Sequence, residues 1–271
     1  MTTLQKVIKY IAVAFAIFLI VTIIGGIITG ITGVSYLLSD KDIEAVGEMK
    51  VYSIDSDISS LSVDLSGAQL KIKTADKLSL ESNHKYISVK EENGKLTVSE
   101  KRKPFSLFSE GVTVILNVPE SLVFDVAAID TGAGEVVIES LSANDLEISL
   151  GAGKADIKSL TANTSCKIDG GAGELNIDGG RLCNLKLDMG VGELTLKSRI
   201  EGKSELDYGV GETNLILIGS KADYKIELDK GIGEATLSGE SMKDDSVYGT
   251  GESFIEIDGG VGALKIEFAD E

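Results

Sequence analysis

The residues of this sequence that are best suited to bind a ligand are regularly spaced carboxylates. Aspartates and glutamates recur at intervals of 19 residues, in two series that flank a glycine-rich tripeptide. Carboxylate oxygens are the ligands that Ca²⁺ prefers, so two such series on one surface could bind divalent cations loosely. The candidate residues are Asp169, Asp188, Asp207, Glu174, Glu193 and Glu212.

The same carboxylates have a simpler interpretation as a solvated face. If the series stack, neighbouring carboxylates lie about 5 Å apart, where each like-charge pair costs roughly 1 kcal/mol even in water. Solvent screening and raised pKa values would offset that cost, and so would loosely bound Ca²⁺. The sequence leaves both interpretations open, and it indicates no other cofactor and no catalytic residue.

A second cluster combines basic and aromatic residues within an otherwise acidic domain. Basic residues beside bulky apolar ones suit a partner surface or the lipid headgroup region. The alternative is a loop that folds its rings over the end of the core. The candidate partner-binding residues are Lys101, Arg102, Lys103, Phe105, Leu107 and Phe108.

Cysteine and histidine offer little for catalysis. Cys166 and Cys183 are predicted to face inward on neighbouring repeats with Cα atoms about 8 Å apart, too far for an unstrained disulfide, so we expect two buried thiols. His84 is the only histidine, and its surroundings in the sequence predict a polar turn. A multi-histidine metal site and a triad with more than one histidine are thereby excluded.

The elements that must position these residues are set by a Gly-X-Gly tripeptide that occurs seven times. A period near 20 residues is typical of a solenoid, in which each repeat stacks on the next. The tripeptides are Gly132-Ala133-Gly134, Gly151-Ala152-Gly153, Gly171-Ala172-Gly173, Gly190-Val191-Gly192, Gly209-Val210-Gly211, Gly231-Ile232-Gly233 and Gly260-Val261-Gly262.

Apolar residues alternate with polar ones on both sides of each tripeptide. This pattern predicts coils of about 19–20 residues, each with two strands that are joined by a corner at the second glycine. The central residue is expected to continue the buried phase of the incoming strand. Polar links such as 142–145 and 161–164 are expected to form the other corner. The predicted fold is an all-β parallel solenoid whose coils stack in chain order.

Residues 10–38 contain no charged side chain. This uncharged segment is longer than the roughly 20 apolar residues that a membrane-spanning helix needs. Lys6 and Lys9 precede this segment, so its N-terminus is expected to be cytoplasmic and the rest extracytoplasmic. The predicted parts are a cytoplasmic tail (1–9), a transmembrane anchor (10–38), a juxtamembrane linker (39–47), irregular N-terminal coils with a cap (48–124) and the regular solenoid (125–268).

Several features together resemble one bacterial family. They are the N-terminal apolar segment, Asn93-Gly94-Lys95-Leu96-Thr97-Val98, Val114-Ile115-Leu116-Asn117-Val118-Pro119, and the Gly-X-Gly coils that follow. This combination is similar to the putative-adhesin family of unknown function, also called Toastrack domains, over residues 48–268. The resemblance implies a β-solenoid at the bacterial envelope, linked to envelope-stress systems and small membrane partners, with no catalytic residues to carry over.

The composition restricts the classes of function that the chain could have. The net charge of -17 makes nucleic acid an unsuitable partner. We expect a non-catalytic interaction or envelope-stress sensing module on the cell membrane, with a membrane or envelope protein as partner. A surface adhesin that binds polysaccharide is the alternative, although the chain has no tryptophan to stack on sugars. A third interpretation, a β-helical polysaccharide-degrading enzyme, is disfavoured because the acids are spread evenly by the repeat.

Overall fold

The computed structural model describes residues 46–54, 57–100 and 111–270, which are mostly β-strand with one 3-10 turn, Lys221–Asp223. Within these ranges no helix has the length and apolar character that crossing a bilayer requires. The predicted tail and transmembrane anchor lie outside the described residues. The strands are β1 (Val46–Ser53), β2 (Ser60–Leu65), β3 (Gln69–Ala75), β4 (Ser79–His84), β5 (Ile87–Glu92), β6 (Lys95–Glu100), β7 (Thr113–Pro119), β8 (Phe124–Ile138), β9 (Leu141–Ile157), β10 (Leu160–Asp169), β11 (Ala172–Ile177), β12 (Gly180–Cys183), β13 (Leu185–Glu201), β14 (Lys203–Ile218), β15 (Tyr224–Asp229), β16 (Ile232–Leu237), β17 (Glu240–Ser241), β18 (Ser246–Gly249) and β19 (Ser253–Ala269).

Equivalent residues of neighbouring coils stack in parallel and in register. Ile148 pairs with Ile129 on one side and with Ile168 on the other, and Ile168 pairs in turn with Leu187. All four side chains are buried, so each coil covers the apolar residues of its neighbours. The described part of the chain is therefore all-β with parallel strands, as the repeat predicts.

Several coils do not contain two separate strands, contrary to the prediction. β9 and β13 each pass through the glycine corner as one continuous 17-residue strand. The prediction that the polar links form simple corners is also wrong. They pair from coil to coil and bury a short column of side chains of their own. That column consists of Phe124, Ala143, Ala162, Leu182 and Ile200.

The second glycine of each tripeptide is the corner, as predicted, for two physical reasons. Its φ lies between 137° and 154° in all seven tripeptides, a region that side chains of L-amino acids rarely adopt. There is also no room for a side chain, since a Cβ on Gly192 would lie 1.8 Å from the carbonyl oxygen of Gly173 in the neighbouring coil. The corners thus stack backbone directly on backbone.

The central residue of the tripeptide does not continue the buried phase, contrary to expectation. Val191 is half-buried and Ile232 is 37% exposed. The buried series stops instead at the residue before the tripeptide, such as Met189, and resumes at Leu194. The bend at the corner therefore moves the central side chain out of the core.

The coils do not follow chain order at the C-terminal end. β14 pairs with β19 and makes no pairing with β15, while β15 and β16 pair with the other side of β19. The last coil of the chain is thus inserted between the two coils that precede it. Two short antiparallel strands, β18 on β15 and β17 on β16, cover the outermost coil.

The N-terminal end is interleaved in the same way. β2 and β3 pair in parallel with β8 on one side and with β6 and β7 on the other, so the coil formed by β6 and β7 is outermost. Three antiparallel strands cover it: β5 on β6, β4 on β7, and β1 on β4. The turn between β5 and β6 has positive φ at Asn93 and Gly94, which is the tight hairpin that their sequence predicts.

Candidate functional site

The aspartate series forms an uninterrupted ladder over the candidate residues. Asp169 pairs with Asp188, and Asp188 pairs with Asp207. Beyond Asp207 the ladder continues to Asp258 and only then to Asp229, because the last coil is inserted there. The columns predicted from the repeat are correct, while their order near the C-terminus is not.

The centre of this ladder is electrostatically unfavourable. The pKa of Asp207 is raised above its ordinary value, first by burial and then by the negative charges of Asp188 and Asp258. Desolvation and like charges both penalise the ionised carboxylate. The ladder therefore costs folding free energy at neutral pH unless protons or cations neutralise it.

The glutamate series is compensated at Glu174. Glu174, Glu193 and Glu212 stack in register. Nδ2 of Asn176 donates to Glu174 at 2.6 Å, and Nζ of Lys154 lies 3.1 Å from the same carboxylate. These contacts, that of Asn176 first, hold the pKa of Glu174 below its ordinary value.

The two ladders do not form a compact metal centre in the part of the chain that the structure describes. No three histidine, cysteine, aspartate or glutamate side chains there are grouped so that they could hold a metal ion. Loose binding of Ca²⁺ along the ladders stays a prediction from the sequence.

The two cysteines are free and buried. Cys166 pairs with Leu185, two residues beyond Cys183, which is the offset that the repeat predicts. Burial raises the pKa of Cys166 to about 12. Burial also raises the pKa of Cys183, whose Sγ lies 3.6 Å from a carboxylate oxygen of Glu201. Neither thiol is therefore activated as a nucleophile.

His84 is not in a polar turn, as its sequence neighbours suggested, but at the buried end of β4. Its Nδ1 accepts the backbone N–H of Tyr86 at 2.9 Å, so Nε2 carries the proton and donates to Glu100 at 2.8 Å. The other carboxylate oxygen of Glu100 accepts the backbone N–H of Ser66 at 2.7 Å. The hydrogen bond with His84 is the main cause that holds the pKa of Glu100 below its ordinary value.

The His84 and Glu100 pair marks the place where three parts of the chain meet. Val46, the first described residue, pairs with His84. Nδ2 of Asn83 donates to the carbonyl oxygen of Gly111 at 2.9 Å. A Cβ placed on Gly111 would lie 3.7 Å from Cγ2 of Val46. Glu100 and Gly111, which flank residues 101–110, are therefore both held beside the start of β1.

The predicted partner-binding cluster falls in that interval. Its members lie outside the described residues, so their role stays a prediction: Lys101, Arg102, Lys103, Phe105, Leu107 and Phe108. What sequence reasoning missed is the arrangement that holds the two flanks together. The signal was the alternation of Leu80, Ser82 and His84, which places His84 on the buried face of its strand.

Two open depressions lie near the N-terminal coils. One has a volume of about 560 Å³ and the other of about 310 Å³. Asp76 and Glu120 are the ionisable residues of the first, and Asp57 is that of the second. Serine or threonine hydroxyl groups also line both depressions, which share Pro119.

Residues 58–253 match the family described as Toastrack DUF4097, and the chain belongs to this family. The match covers the interleaved N-terminal coils and the regular stack, and it ends where β19 begins. No curated protein matches the chain.

Three solved structures with similarity to the chain superpose on it weakly. A putative cell adhesion protein from Clostridium sporogenes is 16% identical, covering 82% of this chain and 99% of its own, with a TM-score of 0.37. A putative adhesin from Bacteroides fragilis is 15% identical, covering 81% and 96%, with a TM-score of 0.36. A putative lipid binding protein from Parabacteroides distasonis is 14% identical, covering 82% and 96%, with a TM-score of 0.36.

Proposed function

We propose that the chain is a membrane-anchored, extracytoplasmic β-solenoid that acts as a non-catalytic interaction or envelope-stress sensing module. The uncharged segment 10–38 and the basic residues before it support the anchor and its orientation. Membership of the Toastrack family supports the solenoid as the functional part. The expected location is the cell membrane of a bacterium, with the stack of coils outside.

The observation that carries the non-catalytic part of this proposal is the use of the single histidine. Both ring nitrogens of His84 are engaged in hydrogen bonds, and its side chain is only 2% exposed. It therefore supports the fold at the end of the stack and is not presented to a substrate. The aspartate and glutamate series lie along ladders, which suits a surface that binds a partner over several coils.

A surface adhesin for polysaccharide is the alternative for the same location. Long outward ladders of carboxylate, asparagine and lysine side chains could contact a polymer along the stack. Binding of the purified chain to a glycan array would favour this alternative over sensing. A module that recognises an envelope protein should bind no glycan on the array.

The first experiment tests location. Asp178, whose side chain is 76% exposed, is replaced by cysteine, and intact cells are treated with a maleimide that cannot cross membranes. We expect labelling without permeabilisation, and the parent chain, with its two buried cysteines, is the control. Labelling that requires permeabilised cells would contradict an extracytoplasmic stack.

The second experiment tests interaction. A photo-crosslinking amino acid is placed at Lys167 or Glu205 on the outer surface of the stack, and at buried Leu187 as a control. An interaction module should yield one discrete adduct in intact cells from the exposed positions, with none from Leu187. The proposal fails if the exposed positions give no adduct under resting or stressed conditions.

A further inference from the structure

The two ends of the stack close in different ways. At the C-terminal end the covering strands are β17 with two residues and β18 with four, and three consecutive charged residues precede β18. Short edge strands with charged residues beside them are a usual protection of a sheet edge that faces water, although Val247 of β18 is exposed. This end is built to be solvated.

The N-terminal end closes with a longer edge strand. β1 has eight residues and, among the described residues, pairs only with β4. Two side chains at alternate positions of β1 are exposed, Met49 at 48% and Val51 at 67%. Glu48 and Lys50 of the same strand are also exposed, and such charged side chains protect an edge. The apolar pair is therefore the part of β1 for which a covering surface other than bulk solvent is expected.

The position of β1 in the chain indicates what covers it. The uncharged segment ends at Leu38, and the eight residues from there to Val46 can span at most about 29 Å. The opposite end of the stack is about 40 Å further away, because nine coils are spaced by about 4.8 Å. β1 is thus the edge strand that is nearest to the uncharged segment along the chain.

We propose that the outward face of β1, with Met49 and Val51, lies against the lipid headgroups of the membrane that holds the preceding segment. This inference rests on the membrane anchor of the proposed function. Apolar side chains at that depth bury surface among headgroups and acyl boundaries, while the unpaired edge of β1 still bonds to water and headgroup oxygens. The acidic coils then project away from the membrane.

The test compares two exposed valines at opposite ends of the stack, Val51 on β1 and Val247 on β18, the latter 53% exposed. The full chain carrying Val51→Cys or Val247→Cys is reconstituted into vesicles of phosphatidylcholine and phosphatidylglycerol and labelled with a polarity-sensitive dye. Nitroxide-labelled lipids that quench near the headgroups are then added. The parent chain, labelled under the same conditions, gives the blank for the native cysteines.

We expect loss of most of the fluorescence at position 51 and no loss beyond the blank at position 247. A dye at Met49→Cys should behave as the dye at position 51 does, and far-UV circular dichroism checks that each labelled chain is folded. Equal quenching at positions 51 and 247 would overturn the inference. A disulfide that joins two copies of the unlabelled Val51→Cys chain, without quenching of the labelled one, would assign the face to a second copy and also overturn it.

The same vesicles separate this inference from the proposed function. A carbonate wash tests whether the chain is anchored in the bilayer. Release by the wash would contradict the anchor itself. Retention of the chain together with an unquenched dye at position 51 would contradict only the contact of β1 with the headgroups.

Discussion

The middle of the stack and its two ends are built by different rules. From β8 to β14 the spatial order of the coils is their order in the chain, and each coil pairs with the coils before and after it. At each end the coil that is terminal in the chain, β2 with β3 or β19, lies next to the middle, and the coil that is intermediate in the chain is displaced to the outside. A sequence repeat therefore specifies which residues are equivalent, but not which coil is the neighbour.

The interleaving has a common physical reason at the two ends. Each outermost coil is connected to an inner one by a segment that folds back as antiparallel strands, β4 and β5 at one end and β17 and β18 at the other. A coil left at the end in simple chain order would expose unpaired main-chain groups on both of its strands. The connecting segment covers these groups because it lies beside them in the chain.

Disulfide crosslinking is expected to distinguish most clearly between an inserted last coil and stacking in chain order. Glu205 pairs with Glu256, and Glu256 pairs with Glu227, so Glu205 and Glu227 are separated by a whole coil. The double variant Glu205→Cys/Glu256→Cys should form a disulfide almost completely under mild oxidation. Glu205→Cys/Glu227→Cys should form none, since two coils separate Cα atoms by about 9.6 Å and disulfides need less than about 7 Å.

Stacking in chain order would reverse this result. Non-reducing gel mobility and peptide mapping distinguish the outcomes, and each single-cysteine variant is the control. A disulfide between positions 205 and 227, with none between 205 and 256, would contradict the inserted position of β19.

The distinction also explains what the sequence could and could not predict. The ladders of Ile148, Ile168 and Leu187, and the glycine corners, follow from a local period that every coil repeats. The position of β19 does not, because Ile226 and Ser204 both match Ile255 equally well in the repeat. Only the antiparallel strands formed by 240–249 decide between the two neighbours.

The candidate site also has one part that could be predicted from the sequence and one part that could not. The aspartate and glutamate ladders could be predicted because they share the period of the core. The contact between His84 and Glu100 joins strands at the irregular end, where no repeat exists to align them. Strand alternation could have placed His84 inside, but its partner depends on the fold of β4 over β7 and of β5 over β6.

The next largest effect is expected at a corner of the middle coils. Gly192→Ala introduces a Cβ at a φ of 141° and within 1.8 Å of the Gly173 carbonyl oxygen, so neighbouring coils must separate. The free energy of unfolding should fall by about 3 kcal/mol or more, measured by urea denaturation. Gly239→Ala, with a φ of 81° but no atom within 4 Å of the new Cβ, is the matched control at the end and should cost about 1 kcal/mol. Equal losses would mean that positive φ, and not the stacking of backbones, makes the corners glycine.

A smaller effect is expected at the N-terminal end. Glu100→Gln weakens the acceptor of the His84 and Ser66 hydrogen bonds and should lower the free energy of unfolding by about 1–2 kcal/mol at neutral pH. The lowered pKa of Glu100 means that the native carboxylate adds stability above the ordinary glutamate pKa of about 4.3, and that this stability is lost as the pH falls through the lower native value. The difference in the free energy of unfolding between parent and variant should therefore disappear at acidic pH. Exposed Glu92→Gln on β5 is the control, and a gap independent of pH would contradict the role assigned to the carboxylate.

The smallest effect is expected where the inserted coil meets the aspartate ladder, and it has the opposite sign. Because the pKa of Asp207 is raised, the stability that its carboxyl group contributes is complete below the ordinary aspartate pKa of about 3.9 and is lost as the pH rises through the native value. Asp207→Asn should accordingly raise the melting temperature at neutral pH by about 1–2 °C, and the gain should vanish in acid. Asp258→Asn should remove part of the further benefit of Asp207→Asn, since burial and Asp188 still act on Asp207, whereas Asp229→Asn should remove none, because Asp258 stands between Asp207 and Asp229. Stronger coupling of Asp207 to Asp229 in this double-mutant cycle would mean that the coils stack in chain order after all.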